Sequence, residues 1–452
     1  MKNIENKIYK ELEMWERPLN KAELEKIIYN LFCIIIFITP IFSDIIGFGI
    51  YSLKSTIFNL TTIVTAMALL VINRKNLKIN IYDGLLLGYL LLVMFSTFLT
   101  KYGVVECILG TNGRGEGLIT MCSYVATFII FSRGYKYMKN TSKVAILSSI
   151  VVSIYCIIQS NIPSGTTILF IPKSRYGVAS GTMGNQNFLS SYICIFLPMI
   201  CFYFINGENK IKRSVIIATM LFLSLVFSTT LGGYITFIFM YLVIAIVSLI
   251  FSKDRKKCFK RILLLSLIFV VVFGAVNYRG ENKYGKELAS STGEVTKLVN
   301  SKTDNSFGTN RMKIWKMCFK IVKDYQLFGV GPDSMVKVYN NTEYVIDGEE
   351  FKERIDKAHS EPLHIAVTTG LPSAIIYLII VAVIGIKLFI IVIKRLKNIG
   401  VRDKNTLYIT MVIIAFASYL IQSLANISVI QVAPMFWAVL GTAAGITIDN
   451  GN

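Results

Sequence analysis

The sequence predicts an all-α, polytopic membrane protein with about twelve transmembrane helices and one large extracytoplasmic loop carrying short helices. Three observations predict it. The chain of 452 residues is 54% apolar and only 16% charged, whereas soluble proteins carry about a quarter charged residues. Apolar runs of helix length recur along it, and about 17–25 such residues cross a bilayer as a helix. One long polar stretch, residues 278–361, interrupts these runs and holds fourteen Lys/Arg and thirteen Asp/Glu.

The elements follow in order. Residues 1–26 form a charged tail in which Ile4, Ile8, Leu12 and Trp15 recur at helical spacing before Pro18. This pattern reads as a short amphipathic helix lying on the inner membrane surface. The tail has no small-residue cleavage site, so the first span acts as an internal signal anchor. Residues 27–277 hold nine spans, near Ile27–Ile50, Ser55–Ile72, Gly84–Leu99, Leu118–Phe131, Ala145–Gln159, Phe188–Ile205, Val215–Ser228, Gly233–Phe251 and Ile262–Val276. The polar loop 278–361 comes next. Residues 362–452 then supply three more spans, Pro362–Val392, Leu407–Leu424 and Val429–Ile446.

Orientation follows from basic residues in the short loops. The loops on one side carry 20 Lys/Arg in total, and the alternate loops carry 5. Both termini are therefore expected in the cytoplasm of a multi-pass protein of the plasma (inner) membrane, with residues 278–361 outside. The formal net charge of +20 becomes a topology signal. Membrane lipids are the partners of these cations, and nucleic acid is not. The eight cysteines are scattered, without a Cys-x-x-Cys pair, and read as small apolar residues. Only Cys107 and Cys318 fall outside, where one disulfide is open.

Chemistry concentrates at the ends of the polar loop. Thr309 and Asn310 can cap a helix starting at Arg311. Lys313, Lys316, Lys320 and Lys323 share one face of that helix, with Ile314, Trp315, Cys318, Ile321 and Val322 on the other. Such a helix lies in the outer interface with Trp315 at headgroup depth. Its cations attract anionic headgroups, or Arg311 grips a diphosphate through two parallel charge-assisted bonds. Phe328-Gly329-Val330-Gly331-Pro332-Asp333 follows a helix and contains proline, so it reads as a chain-reversing turn and not as a phosphate loop.

The only two histidines, His359 and His364, close the loop. Pro362 suits the first turn of the tenth span, whose free N–H groups attract anions. His359 stands at that mouth, where a neutral imidazole accepts a proton from a sugar hydroxyl; a purely structural histidine is the other reading. Glu361 caps the span or orients His359, and joins the substrate-binding candidates. The two histidines are five residues apart with Pro362 between them, and no Cys or further His completes a set, so no metal and no other cofactor is expected.

Four patches now stand in sequence order: Gly113–Leu118; Gly181-Thr182-Met183-Gly184-Asn185-Gln186-Asn187-Phe188; Arg311-Met312-Lys313-Ile314-Trp315 with Gly329-Val330-Gly331-Pro332; and His359-Ser360-Glu361-Pro362-Leu363. From about residue 110 to 380 the chain resembles the O-antigen ligase family, polytopic glycan ligases and polymerases acting outside the plasma membrane. That family shows Gly-Asn-Pro-Asn-Phe before a span, Arg-x-x-x-Trp and Gly-x-Gly-Pro in a long outer loop, and His-Asn or His-Ser before the next span. The resemblance implies metal-independent transfer, with inversion, from an undecaprenyl-diphosphate-linked glycan donor to an acceptor hydroxyl. It maps the family's loop arginine onto Arg311 and its candidate base onto His359, with Arg175 and Arg114 as further arginines placed to meet phosphate. Two departures stand out: Leu231 occupies the place of a family arginine, and Gln186 replaces the proline.

Acceptors of three kinds stay open: a growing lipid-linked glycan, a surface glycolipid or cell-wall polymer, and a protein side chain, the last making the chain a protein O-oligosaccharyltransferase. A lipid-linked oligosaccharide flippase or other transporter is the rival class, and a noncatalytic assembly scaffold a second. The topology has a direct check. A phosphatase reporter fused within residues 278–361 is expected to be active and a fluorescent protein at the C-terminus bright; the reverse pattern overturns the orientation.

Overall fold

Helices begin where the sequence supplies caps. Asn20 and Glu23 form a reciprocal capping box at the first helix, and Asn80 and Asp83 form another at the third. Asp254 and Asp403 cap two more by accepting backbone N–H bonds. The computed structural model describes residues 19–42, 50–75, 79–111, 114–138, 141–162, 167–168, 171–172, 178–208, 210–286, 288–289, 307–341, 345–346, 349–350 and 355–450. The expected amphipathic segment at Ile4–Trp15 lies outside the described residues, as does Arg175.

We number the helices α1 (Lys21–Ile38), α2 (Ile50–Asn73), α3 (Ile81–Leu99), α4 (Val104–Leu109), α5 (Leu118–Met138), α6 (Lys143–Asn161), α7 (Gln186–Asn206) and α8 (Ile211–Ser228). There follow α9 (Leu231–Phe251), α10 (Arg255–Arg279), α11 (Phe307–Asp324), α12 (Met335–Asn341), α13 (Glu361–Thr369), α14 (Leu371–Asn398), α15 (Lys404–Ser423) and α16 (Ala433–Asp449). Among the described residues the only strands are two antiparallel pairs of two-residue strands, Thr167–Ile168 with Ile171–Pro172 and Val345–Ile346 with Glu349–Glu350. Among the described residues eleven helices are long and apolar enough to cross a membrane, and the 17-residue α16 is a shorter apolar helix. The protein is thus an all-α, multi-pass membrane protein.

The four spans that look short in sequence run further than their apolar cores. Leu118–Met138, Lys143–Asn161, Ile211–Ser228 and Arg255–Arg279 each add polar residues that continue the helix toward one or both ends. The expected tenth span differs. It is not continuous from Pro362, because Gly370 breaks it into α13 and α14 with a φ of 91°. A residue with a Cβ is strained there and would also strike the Leu327 carbonyl. Pro372 in the next turn lacks the N–H that would carry the ladder back across the break.

The core centres on α7, which is buried along nearly its whole length among α8, α9 and α15. The other dense contact joins α5 and α16. It is made possible by Gly441-Thr442-Ala443-Ala444-Gly445, a small-xxx-small repeat. A Cβ at Gly441 would collide with the Phe128 carbonyl, and one at Gly445 with the Ser132 carbonyl. On the same helix pair Tyr124 stacks on Trp437 with centroids 5.9 Å apart. Gly233 likewise brings α9 against Ser190 of α7.

Two lysines of the candidate spans contrast in burial. Lys387 is exposed, over the Tyr82 ring at 5.5 Å, as snorkelling predicts. Lys54 is buried and donates to the carbonyls of Pro40 and Thr182, at 3.2 and 2.8 Å. All eight cysteines are free. Replacing Gly441 by Leu should overpack the α5–α16 contact at a cost of about 1–3 kcal/mol or more. The expected readout is a lower thermal midpoint in detergent; an unchanged midpoint contradicts this packing.

Candidate functional site

The segments named from sequence converge at the end of the bundle that carries the polar loop. There the loop builds a small core of its own. Ile314, Met317, Cys318 and Ile321 from α11, Val330 from the following turn, Met335 and Val338 from α12, and Ala366 and Val367 from α13 are buried together. The helix α11 begins at Phe307, one turn before the expected Arg311, and its lysines 320 and 323 face outward. The glycine turn reverses the chain as expected. Val330 and Gly331 donate backbone N–H bonds to Val367 and Thr368 of α13, at 3.0 and 2.9 Å.

Trp315 turns its indole N–H toward the protein. Its indole N–H donates to the Ala358 carbonyl at 3.0 Å, so it fastens α11 to the segment just before His359. Arg311, one helical turn earlier, shares that face. Its guanidinium is close enough to act on the His359 ring. Burial lowers the His359 pKa to about 4, and the cations of Arg311 and then Arg114 push in the same direction against Asp356. His359 is held with a φ of 49°, a left-handed backbone for a non-glycine residue, and its Nδ1 is enclosed without a hydrogen-bond partner among the described residues.

Arg114 sits beside them. Its Nε donates to Asp356 at 2.7 Å, and its guanidinium lies over the Phe188 ring at 5.7 Å. Burial raises the Asp356 carboxyl, but Arg114 more than offsets this and holds it below the ordinary aspartate range. Three of the four sequence patches therefore meet through this one arginine. Glu361 opens α13 and is buried, accepting from the Tyr377 hydroxyl at 3.0 Å. Burial pushes its carboxyl up to about 7. It makes no side-chain cap for α13, whose N-cap is Ser360.

Beneath this layer lies a charged cluster that the sequence reading did not single out. Lys357 is wholly buried and forms ion pairs with Glu116 and, at 3.4 Å, with Asp333. Asp333 also accepts from the Thr111 N–H and hydroxyl, both at 2.8 Å. Burial opposes the charge on Lys357, yet Glu116 and Asp333 hold its ammonium above the ordinary lysine range. Burial pushes Glu116 up against the pull of Lys357. The Lys357 Nζ lies 3.3 Å from His364 Nε2. Burial and then Lys357 keep His364 well below its ordinary pKa, so the ring is neutral and Nε2 accepts.

Glu116, Glu361 and His364 also line a cavity of about 40 Å³ with Tyr89, Tyr124 and Trp437, room for a water molecule. The available signal for this cluster was weak: a lysine two residues before the histidine, and acids inside two glycine-rich patches. Among the described residues no group of three or more His, Cys, Asp or Glu is arranged to hold a metal ion.

No curated protein matches the chain. A family model described as O-Antigen ligase matches residues 214–378, the stretch that contains Arg311, Trp315, the Gly329–Pro332 turn and His359. With the motif patches drawn together at one end of a helical bundle, this match makes residues 214–378 similar to the O-antigen ligase family.

Proposed function

We propose that the protein moves a glycan from an undecaprenyl-diphosphate carrier to an acceptor hydroxyl at the outer face of the plasma membrane, without a metal and with inversion. A ligase- or polymerase-type glycan transferase of the membrane is what the family match supports. The observation that carries the finer reading is the meeting of Arg311, Arg114 and His359 at the loop-side mouth of α13. In the proposed arrangement residues 278–361 form the extracytoplasmic loop between spans 27–277 and 362–452. The tail 1–26 and the C-terminus lie in the cytoplasm.

His359 accepts the proton of the acceptor hydroxyl, and that oxygen attacks the anomeric carbon from the face opposite the carrier. The bond from the anomeric carbon to the diphosphate oxygen breaks, and its electron pair stays on the diphosphate. Arg311, the free N–H groups at the start of α13 and, from the sequence, Arg175 stabilise that charge; such fixed electrostatics are often the largest catalytic term. Arg114 contributes from its pairing with Asp356, and Glu361 bounds the acceptor side. A bound diphosphate also opposes the arginine charges that depress His359, so donor binding strengthens the base.

Two kinds of measurement test this reading, both with protein in lipid nanodiscs, lipid-linked donor from the host and a glycan acceptor. Arg311→Ala is expected to lower turnover roughly a hundredfold or more, and His359→Ala on the order of a hundred- to ten-thousandfold. Near-normal rates in both variants would remove the mechanism. The second concerns pH. With His359 at about 4, the neutral base persists at neutral pH, and kcat/KM should fall only as pH drops through that value. Arg311→Gln removes one repelling cation, so the acid limb should move to higher pH; a limb that stays in place assigns the titration to another group.

A further inference from the structure

We propose that Lys357, clasped by Glu116 and Asp333, is a positioning residue that presents His359 to the donor site; the inference rests on the transfer reading above. The residues before His359 are tied down one by one. Asp356 accepts from Arg114 at 2.7 Å, Lys357 pairs with Glu116, and Ala358 accepts from Trp315 at 3.0 Å. The first two ties form a register lock. Acid then base at 356 and 357 meets base then acid at 114 and 116, so a slip by one residue sets like charges against each other. Asp333 joins the lock at 3.4 Å from Lys357 and carries it to Thr111 and the glycine turn. After these three anchored residues the chain enters the left-handed conformation at His359. Strain of that kind persists only where the surroundings over-determine it. On the far side α13 begins at once.

A buried ion pair is weak evidence of a stability role, because a well-packed neutral replacement is often no less stable. The two roles therefore separate. In Lys357→Met/Glu116→Gln one buried cation and one buried anion leave together, Asp333 keeps its two bonds from Thr111, and Tyr124, which donates to Glu116 at 3.2 Å, can still donate to the amide. In full-length protein in nanodiscs, kcat is expected to fall about tenfold or more while donor KM changes less than about threefold. Asp356→Asn loosens the other arm of the lock at a partly exposed site, and a severalfold fall in kcat is expected there even where the double variant fails to fold. The discriminating readout is a cycle with His359→Ala. In that background either change should cost less than about twofold further, because residues that act through one group are not additive.

Wild-type kcat in Lys357→Met/Glu116→Gln and in Asp356→Asn overturns the positioning role, and so do losses that multiply fully in the His359→Ala background. If His359→Ala itself retains activity, the transfer reading fails instead. If His359→Ala is inactive while the lock variants are unimpaired, only the positioning role falls.

Discussion

An ammonium sealed from water has to find opposite charge, and Lys357 finds it in two segments far away in sequence. Desolvating a cation costs several kcal/mol unless partners and hydrogen bonds replace the water. That requirement dictates how the polar loop folds. Residue 357 docks only where Glu116 and Asp333 already face each other, and Asp333 faces inward only because Thr111 donates to it twice. The short helix between spans three and four, the glycine turn and the segment before α13 are thereby brought to one place. The ring of His359 is what these three segments leave at their common edge.

The bilayer imposes the other half of the design. In hydrocarbon every backbone group needs an internal partner, so spans are helices, and irregular backbone belongs at their ends or against protein. The polar loop satisfies the same demand by acquiring a core. The apolar stripe of α11 covers Val330 and Val367, while Lys320 and Lys323 are exposed on its other side. Positive-φ residues gather around this assembly, at Asp333, His359, Gly329, Gly331 and Gly370. Three are glycines, for which such a backbone is ordinary. Asp333 and His359 are the two that need holding, and both belong to the charged layers.

Much of this was legible in the sequence. The run of membrane helices followed from hydropathy: about twelve spans were expected, and among the described residues eleven helices and the shorter α16 answer to them. Helix ends were less so, since Arg255–Arg279 and Leu118–Met138 run well past their apolar cores. The break at Gly370 was missed because Gly370-Leu371-Pro372 sits in an apolar run where hydropathy has no resolution. The Trp315 bond to Ala358 was hidden for a related reason. An indole at a membrane interface and an indole bonded to a carbonyl carry the same sequence signal. Lys357, Asp333 and Glu116 escaped notice because charge pairing between distant segments leaves no local periodicity. Arg175 and the Ile4–Trp15 segment lie outside the described residues.

The interruption at Gly370 has a mechanical consequence. At 28 residues, α14 is about 42 Å long, well beyond a hydrocarbon layer of roughly 30 Å, so it leans by an amount that varies with the thickness of the surrounding lipid. At Gly370 the rod stops, and the polar loop holds both sides of the break: Leu371 donates to the Gln326 carbonyl at 2.8 Å, while Val330 and Gly331 donate to Val367 and Thr368 of α13. Any change of lean in α14 therefore meets the loop at the first residue of that helix.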